Sequence, residues 1–522
     1  MSGDTSSKEL SGFDTSLLST LAEVADREFD YVVAGGGCVG TALTHTLLRC
    51  RPHARVLILE QGPVLIPEHI QNLPPRHRSL MDSSTAAPWR TSGDLDLASQ
   101  VPYLGGRASF WSGWTPRPGH AQLRAWPQEV VDELDLEWAH ARRLLGVRTA
   151  SSLGPRFGSL HDQLRHKVFR AVKESRQLVD VASEFDLDAQ LATAPRDASP
   201  EPGRFSPVPL LVKLIRKYPG QVAVVTEGEV QQIAHDGVAA VALRTAQGEL
   251  PLRGATLILA NGTVESTRLV LMSIPAELRP LAGRNLNGHV GSWFTCRMPR
   301  SMFAGLSDRY QTSAIYLDGG TAERQFHIQI VASATTDAAR DLDEVYQFIP
   351  EVSGPDVLAQ LNEDEHVVLL VRGLGEVSTT SPVASPRSVT IGRDGTTEVD
   401  IRLDPADLRM WTALDAELDF LVDALFEGTK VEYWSSAAQR WLPERPADRR
   451  QAFMMHEAGT LWMGRSREDS VTDLTGRLHG FDNIYVATAA AFPTEGSWNP
   501  TLTMVAMAQR LARHLTRERR SG

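Results

Sequence analysis

Regular patterning begins with a short apolar run, Tyr31 to Ala34, as in a strand buried on both faces of a parallel sheet. A helical period follows, and then a second strand, "RVLILE", ending at Glu60. From Trp126, "WPQEVVDELDLEWAHARRLLGV" places Val131, Leu134, Leu136, Trp138, Ala141 and Leu145 at helical spacing. The stretch Ala192 to Phe205, "ATAPRDASPEPGRF", carries proline and charge without a period and reads as a long surface loop. "QVAVVTEGEVQQI" predicts a strand ending near Val230, "VALRTAQGELPLRG" a hairpin about Gln247-Gly248, and "ATLILANGTVESTRLVL" a strand, turn and helix. From about Arg284 to Gly428 apolar and polar residues alternate, as in "SAIYL", "FHIQIVA" and "EHVVLLVRGL". That pattern predicts a separate antiparallel sheet with at least one face in water. The last stretch, "LHGFDNIYVATAAAFPTEGSWNPTLTMVAMAQRLARHL", goes strand, loop, helix and returns to the first region.

The elements describe an α/β chain whose second domain is α+β. A Rossmann-like nucleotide-binding domain is assembled from residues 29–120, 221–283 and 451–522; residues 1–28 extend its N-terminus, 121–220 form a helical and loop insertion, and 284–450 form a substrate domain with a largely antiparallel sheet. At 522 residues the chain exceeds a single ordinary core. Its net charge of −11 argues against nucleic acid or an anionic membrane surface as partner, since both reward clustered Lys and Arg, and favours a small neutral substrate. Cys38, Cys50 and Cys296 match neither a disulfide framework nor a zinc site, so a reducing, cytoplasmic compartment is expected. The first 29 residues show no export signal, and no apolar run approaches the roughly 20 residues that span a bilayer. Oligomeric state is left open by the sequence.

Three stretches carry chemistry. Gly35, Gly37 and Gly40 follow the first strand in G-x-G-x-x-G spacing and open a helix. Those glycines serve a tight turn, close approach of backbone to a pyrophosphate, and helix-to-strand packing, with the helix dipole facing the phosphates. Glu60 lies 25 residues after Gly35, where a carboxylate accepts hydrogen bonds from a ribose and disfavours a 2′-phosphate; NAD and FAD both fit. "QVPYLGGRASFWSGWTPRPG" holds Gly105, Gly106 and Gly113 among aromatic residues, suited either to lie along a flavin ring or to pack over a core. "HEAGTLWMG" and "EGSWNPTLT" place His456 and Asn499 in Gly-containing loops 43 residues apart. Histidine is the natural acceptor of a hydroxyl proton near neutrality, and an amide can hold the same oxygen; the bland alternative is that His456 caps a turn and Asn499 starts a helix.

These blocks resemble the glucose-methanol-choline (GMC) flavin oxidoreductases, and among them the pyranose oxidase and bacterial glycoside 3-oxidase branch. "VVAGGGCVG" with Glu60, "LILANGTVESTRLVLMS", "GRNLNGHVG", "HEAGTLWMG", "GRLHGFDNIYVATAAAFPT" and "NPTLTMVAMAQRLA" match in type and order; residues 120–220 and 295–400 match loosely. The resemblance implies FAD, held near Gly35, Gly37, Gly40, Glu60, the backbone at Val230, and Gly262. "YVATAAAFPT" is similar to the block along the ribitol and pyrophosphate, implicating Ala489 and Ala490, with Thr488 standing where an acid is usual. Thr501, beside Asn499, belongs to the same cofactor set. "LGGRASFWSGWTPR" resembles the loop over the flavin, with Gly105, Gly106, Ser109, Phe110 and Trp111 at the ring. Phe110 stands where pyranose oxidases carry a histidine bonded to FAD, which implies a non-covalent cofactor. By the same resemblance His456 is the general base and Asn499 aligns the alcohol. His289 and His479 would support the site, and Trp111, Trp462 and Trp498 either wall it or pack a core. The implied activity is oxidation of a secondary alcohol of a sugar or of an O- or C-glycoside to the keto product, with oxygen or a quinone-like acceptor reoxidising FAD. A lyase using FAD structurally, as hydroxynitrile lyases of this family do, and an oxidase of a non-sugar alcohol are the alternatives.

Overall fold

The computed structural model describes residues 13–196, 199–351 and 354–521; residues 1–12 of the N-terminal extension lie outside the described residues. In chain order the elements that build the site are β1 (Tyr31–Ala34), α1 (Cys38–Cys50), β2 (Val56–Leu59), α2 (Gln128–Leu144), β3 (Val222–Val225), β4 (Thr256–Leu259), α3 (Thr263–Ser273), β5 (Asn287–Pro299), β6 (Gln311–Gly320), β7 (Gln325–Ala334), β8 (His366–Val377), α4 (Pro405–Leu425), β9 (Phe453–Ala458), β10 (Ile484–Val486) and α5 (Thr501–Ser521). Five of the strands form a parallel sheet in the order β10-β4-β1-β2-β3. Each is buried along its whole length, which is why each is a short, predominantly apolar run, YVVA, VLIL, VAVV, TLIL and IYV. One face is packed by α1, the helix Pro207–Lys217 and α5. A three-stranded meander, Val230–His235, Ala240–Thr245 and Gly248–Pro251, contributes Val230, Ile233, Leu243 and Leu250 to the core of the other. Leu43, Leu47 and Leu48 of α1 are fully buried, worth roughly 1.5–3 kcal/mol each over exposure.

The second sheet is antiparallel, with β6-β7-β8-β5 in order and β9 paired to β5. Here the expectation of a wet face fails. One face lies under α4, where Gly373 and Gly375 make room for Leu414 and Met410. The polar positions of the other face, His289, His327, Gln329 and Glu376, are 0, 0, 1 and 5% exposed. Alternation reports that one face is polar; it does not say whether water or protein covers it. The loop before α5 covers it here, through the Gly496 and Ser497 carbonyls and Asn499, and this buried polar face becomes a wall of the site.

Two local expectations are also corrected. "QVAVVTEGEVQQI" is two strands, β3 in the parallel sheet and Val230–His235 in the meander, because the chain turns between Thr226 and Glu229, with Glu227 at φ 57°. The stretch from Ala192 to Phe205 is a hairpin, Thr193–Arg196 against Ser199–Arg204, rather than a loop. It is held by Asn72, whose side chain donates to the Arg204 carbonyl at 2.9 Å and accepts from its N–H at 2.8 Å. Prolines that read as a loop are tolerated on such an edge pair. The hairpin expected at Gln247-Gly248 is present, with Thr245 opposite Gly248. On α2 the buried stripe omits Leu136, which is 72% exposed.

Candidate active site

A cavity of about 450 Å³ starts at the C-terminal end of β1 and reaches the polar wall of the antiparallel sheet. At its first end the lining is backbone. Gly35 sits at φ 111°, and a Cβ there would fall 2.5 Å from the Ala260 carbonyl oxygen. The N-caps of α1 and α3 are Gly37 and Gly262, and neither helix start is capped by a side chain. Two sets of N–H groups therefore face the same cleft with the positive ends of their dipoles, the environment a pyrophosphate requires. Glu60 accepts from the N–H of Gly36 at 2.8 Å and of Gly62 at 3.2 Å. Burial pushes its carboxyl upward and these hydrogen bonds oppose the shift, so one side chain both shapes the glycine turn and presents an acid to the cavity.

Gly35, Gly37, Glu60, Gly105, Gly106, Phe110, Trp111, Val230, Gly262, Ala489, Asn499 and Thr501 all line this cavity, as does His456. Gly40, Ser109 and Ala490 do not line it. Gly40 serves packing: a Cβ there would fall 2.1 Å from the Gly35 carbonyl oxygen. Ala490 is fully buried in the core beside the parallel sheet, and Ser109 is 2% exposed against Gly105. Of the three tryptophans, Trp111 alone reaches the cavity; Trp462 and Trp498 are core residues. His479 supports the chain from outside, 3.0 Å from the Ser470 hydroxyl.

The far end is built by side chains. Strand β9 pairs with β5 through a shift of register, Asn287 opposite Ala458 but His289 opposite Met455, so β9 carries one extra residue. His456 lies in that bulge at φ 58°. A non-glycine residue held there costs on the order of 1–3 kcal/mol, and a bulge re-aims a side chain. The outcome is contact with His289 across the strand pair, Nδ1 to Nδ1 at 2.9 Å, while His289 Nε2 lies 2.9 Å from the Gly496 carbonyl. A parallel arrangement serves Asn499. Its Oδ1 accepts from Gln329 Nε2 at 2.8 Å; Gln329 Nε2 is 3.2 Å from His327 Nε2, and His327 Nδ1 bonds the Ser497 carbonyl. Asn499 does not cap α5, whose first hydrogen bond runs from Met504 to the Pro500 carbonyl. Nor does His456 cap a turn.

Burial holds His456 well below the ordinary histidine range, and the neighbouring His289 and Arg372 add to the depression. His289 is pulled down to about 4 by burial, with the Gly496 carbonyl opposing, and His327 is also depressed by burial and by His289. All three rings are neutral near pH 7. The loop that supplies both carbonyls is fixed from β5: Glu495 N–H donates to Asn287 Oδ1 at 2.8 Å and Asn285 Nδ2 to the Pro493 carbonyl at 3.1 Å.

The remaining wall escaped the sequence reading. Tyr316, Gln329, Arg372 and Trp293 stand in one row across β6, β7, β8 and β5. Arg372 pairs with Glu351 at 3.0 Å and stacks over Trp293 at 4.7 Å; Ser112 donates to the same Glu351 at 2.8 Å. Gln71 reaches the carbonyls of Tyr346, Ile349 and Glu351, and the buried His69 ring bonds the Trp111 carbonyl at 2.7 Å. Residues 69–71 thus clamp the aromatic loop to the 346–351 segment. Arg107 pairs with Glu457, the residue after His456, at 2.8 Å. The local signal for the wall was the i, i+2 spacing of His327 and Gln329 in "FHIQIVA", which gives a shared face and no partner.

Among the described residues no cluster of His, Cys, Asp or Glu could hold a metal ion, and no helix is long and apolar enough to cross a membrane. Residues 376–508 match the family described as GMC oxidoreductase. The chain is 27% identical over 435 residues to a C-glycoside 3-oxidase of Microbacterium trichothecenolyticum, covering 81% of this chain and 77% of that one. It is 24% identical over 536 residues to a C-glycoside 3-oxidase of Arthrobacter globiformis, covering 94% and 95%. Its fold is similar to pyridoxine 4-oxidase from Mesorbium loti, with a TM-score of 0.61 at 19% identity over 93% of this chain and 99% of that one. It is also similar to Aspergillus oryzae formate oxidase, with a TM-score of 0.64 at 16% identity over 95% and 99%. The family match takes in β9, β10 and the start of α5, so the similarity to GMC oxidoreductases falls on the segments that close this cleft.

Proposed function

We propose that this protein oxidises a secondary alcohol of a sugar or glycoside to the ketone, with FAD held non-covalently. The observation that carries the reading is the convergence of His456 and Asn499 on one cavity that begins at two uncapped helix N-termini. The uncapped N–H groups at Gly37 and Gly262 and the bare backbone at Gly35 fit a dinucleotide, with Gly105, Gly106 and Trp111 beyond them. When bound, the flavin supplies the two-electron acceptor for the hydride of the carbinol carbon. His456 takes the hydroxyl proton at its ring nitrogen, and Asn499 donates a hydrogen bond to the same oxygen; positioned acid–base catalysis of this kind contributes about 10²- to 10⁴-fold. Arg372, Glu351 and Ser112 offer donors and acceptors to the other hydroxyls of a polyol, which supports a carbohydrate, as do the two relatives named C-glycoside 3-oxidase. A phenyl ring at Phe110 offers no nitrogen for a covalent link. We place the substrate-binding part in residues 284–450, and three cysteines without a disulfide fit a reducing compartment.

Anaerobic absorbance titration of the flavin-loaded protein with monosaccharides, O- and C-glycosides and simple alcohols tests the proposal. Bleaching by a glycoside in the wild type and not in His456→Ala is expected. A flavin that simple alcohols alone bleach removes the carbohydrate assignment, and one that no alcohol bleaches favours acid–base chemistry without redox.

A further inference from the structure

We propose that the adjacent carbonyls of Gly496 and Ser497 set the hydrogen-bonding sense of both alcohol-facing groups through two side-chain relays, so that His289 and Gln329 are positioning residues. The inference rests on the reading that the alcohol is oxidised between His456 and Asn499. A carbonyl oxygen only accepts, so the His289 nitrogen 2.9 Å from the Gly496 oxygen, Nε2, carries that ring's proton. His289 is fully buried and neutral, which leaves its Nδ1 bare. The His456 Nδ1 that lies 2.9 Å from it must then be the protonated nitrogen. In a neutral ring this leaves His456 Nε2 with its lone pair free, as a base requires. The opposite tautomer of either ring would set two lone pairs or two protons face to face at hydrogen-bond distance.

The second relay runs by the same logic. His327 Nδ1 donates to the Ser497 carbonyl, so its Nε2 accepts, and the Gln329 atom 3.2 Å away must be the amide nitrogen. Its other hydrogen goes to Asn499, whose contacting atom is therefore Oδ1, at 2.8 Å. Asn499 Nδ2 is left as a donor. One carbonyl thus ends in an acceptor and its neighbour in a donor, the two senses that an alcohol O–H and its oxygen need. A half-satisfied network of buried polar groups would be costly, and every link in this one has its partner. The sense of the site is imposed by main-chain geometry rather than left to the rings, since the tautomer of a histidine follows the bond its other nitrogen makes.

The test is ¹⁵N NMR of the ring nitrogens in flavin-loaded protein labelled at histidine, with the His456 signals identified by their loss in His456→Ala. His456 is expected to show a protonated Nδ1 and an unprotonated Nε2 in the absence of substrate. An Nε2-protonated or tautomerically averaged His456 in the wild type overturns the relay. In His289→Phe the His456 signals should become averaged and the anaerobic reduction rate fall about 10- to 100-fold with flavin retained; unchanged signals and rate overturn it. Should His289→Phe not fold, Gln329→Met serves. It should slow reduction about tenfold while His456 keeps its tautomer, and an unchanged rate removes the second relay. Predicted tautomers in a protein that no alcohol reduces would leave the relay standing and remove the reading of the reaction, whereas substrate bleaching with the opposite tautomer would do the reverse.

Discussion

At the glycine end of the cleft the cavity is faced by backbone, at Gly35, Gly37 and Gly262, and the residues responsible lie beside each other in sequence or one strand away. At the histidine end it is faced by side chains from β5, β7, β8, β9 and the loop before α5, which lie up to 210 residues apart (289 to 499) and meet only through the sheet. In the proposed function the first end binds by removing side chains so that N–H groups can approach a ligand, with specificity for charge and shape. The second, in the same proposal, orients by chaining side chains to fixed carbonyls, with specificity for where one proton sits. A single substitution should therefore damage the two ends in different currencies, cofactor retention at one and rate at the other.

The largest separation is expected from His456→Ala. It should lower the rate of anaerobic flavin reduction by about 10²- to 10⁴-fold, about 3–5 kcal/mol, with flavin content unchanged; loss of flavin in this variant would erase the distinction between the ends. Gly40→Ala probes the other side. Its Cβ would meet the Gly35 oxygen at 2.1 Å, and such overpacking costs about 1–3 kcal/mol or more. Purified variant should hold substoichiometric flavin and melt earlier, whereas the molecules that retain flavin should be reduced at the wild-type rate.

Acid should strike the histidine end. His289 titrates in the folded protein at about 4, below the ordinary 6.5, so the unfolded chain takes up the proton first. Its contribution to stability is complete above about pH 6.5 and is lost as pH falls toward 4, on the order of 3 kcal/mol. His69, held down to about 3 by burial, acts in the same sense. Denaturant melts across this window should show stability falling with pH, and His289→Phe should flatten the dependence. Because His456 is also depressed, kcat/KM should stay level through the usual histidine range. Glu60→Gln should have the smallest effect, about 1 kcal/mol in flavin affinity: Glu60 holds the Gly36 and Gly62 N–H groups with separate oxygens, and the amide oxygen keeps only one of these two bonds. Acid precipitation of the loaded protein should release all of its flavin if Phe110 leaves the cofactor unlinked.

The strand, glycine loop, helix and second strand of residues 31–60 were legible in the sequence because each signal is local: apolar runs for a doubly covered strand, and glycine spacing for the turn that joins strand to helix. The hairpin at residues 245–248 was legible for the same reason. His456 and Asn499 were singled out by their blocks, but neither block contains the bulge that turns His456, since a bulge is a property of two strands in register and β5 lies more than 150 residues upstream of β9. The Ala192–Phe205 hairpin was hidden because proline content suggests a loop, and Asn72 holds the pair from another segment.

What the sequence determined by itself is the parallel sheet, the glycine turn that follows its first strand and the presence of a polar face on β5–β8, because periodicity and φ preference act between near neighbours. What the tertiary structure alone decided is that this polar face is buried and that His289 and His327 meet two consecutive carbonyls, because the covering of a face and the partner of a ring depend on where distant segments come to rest.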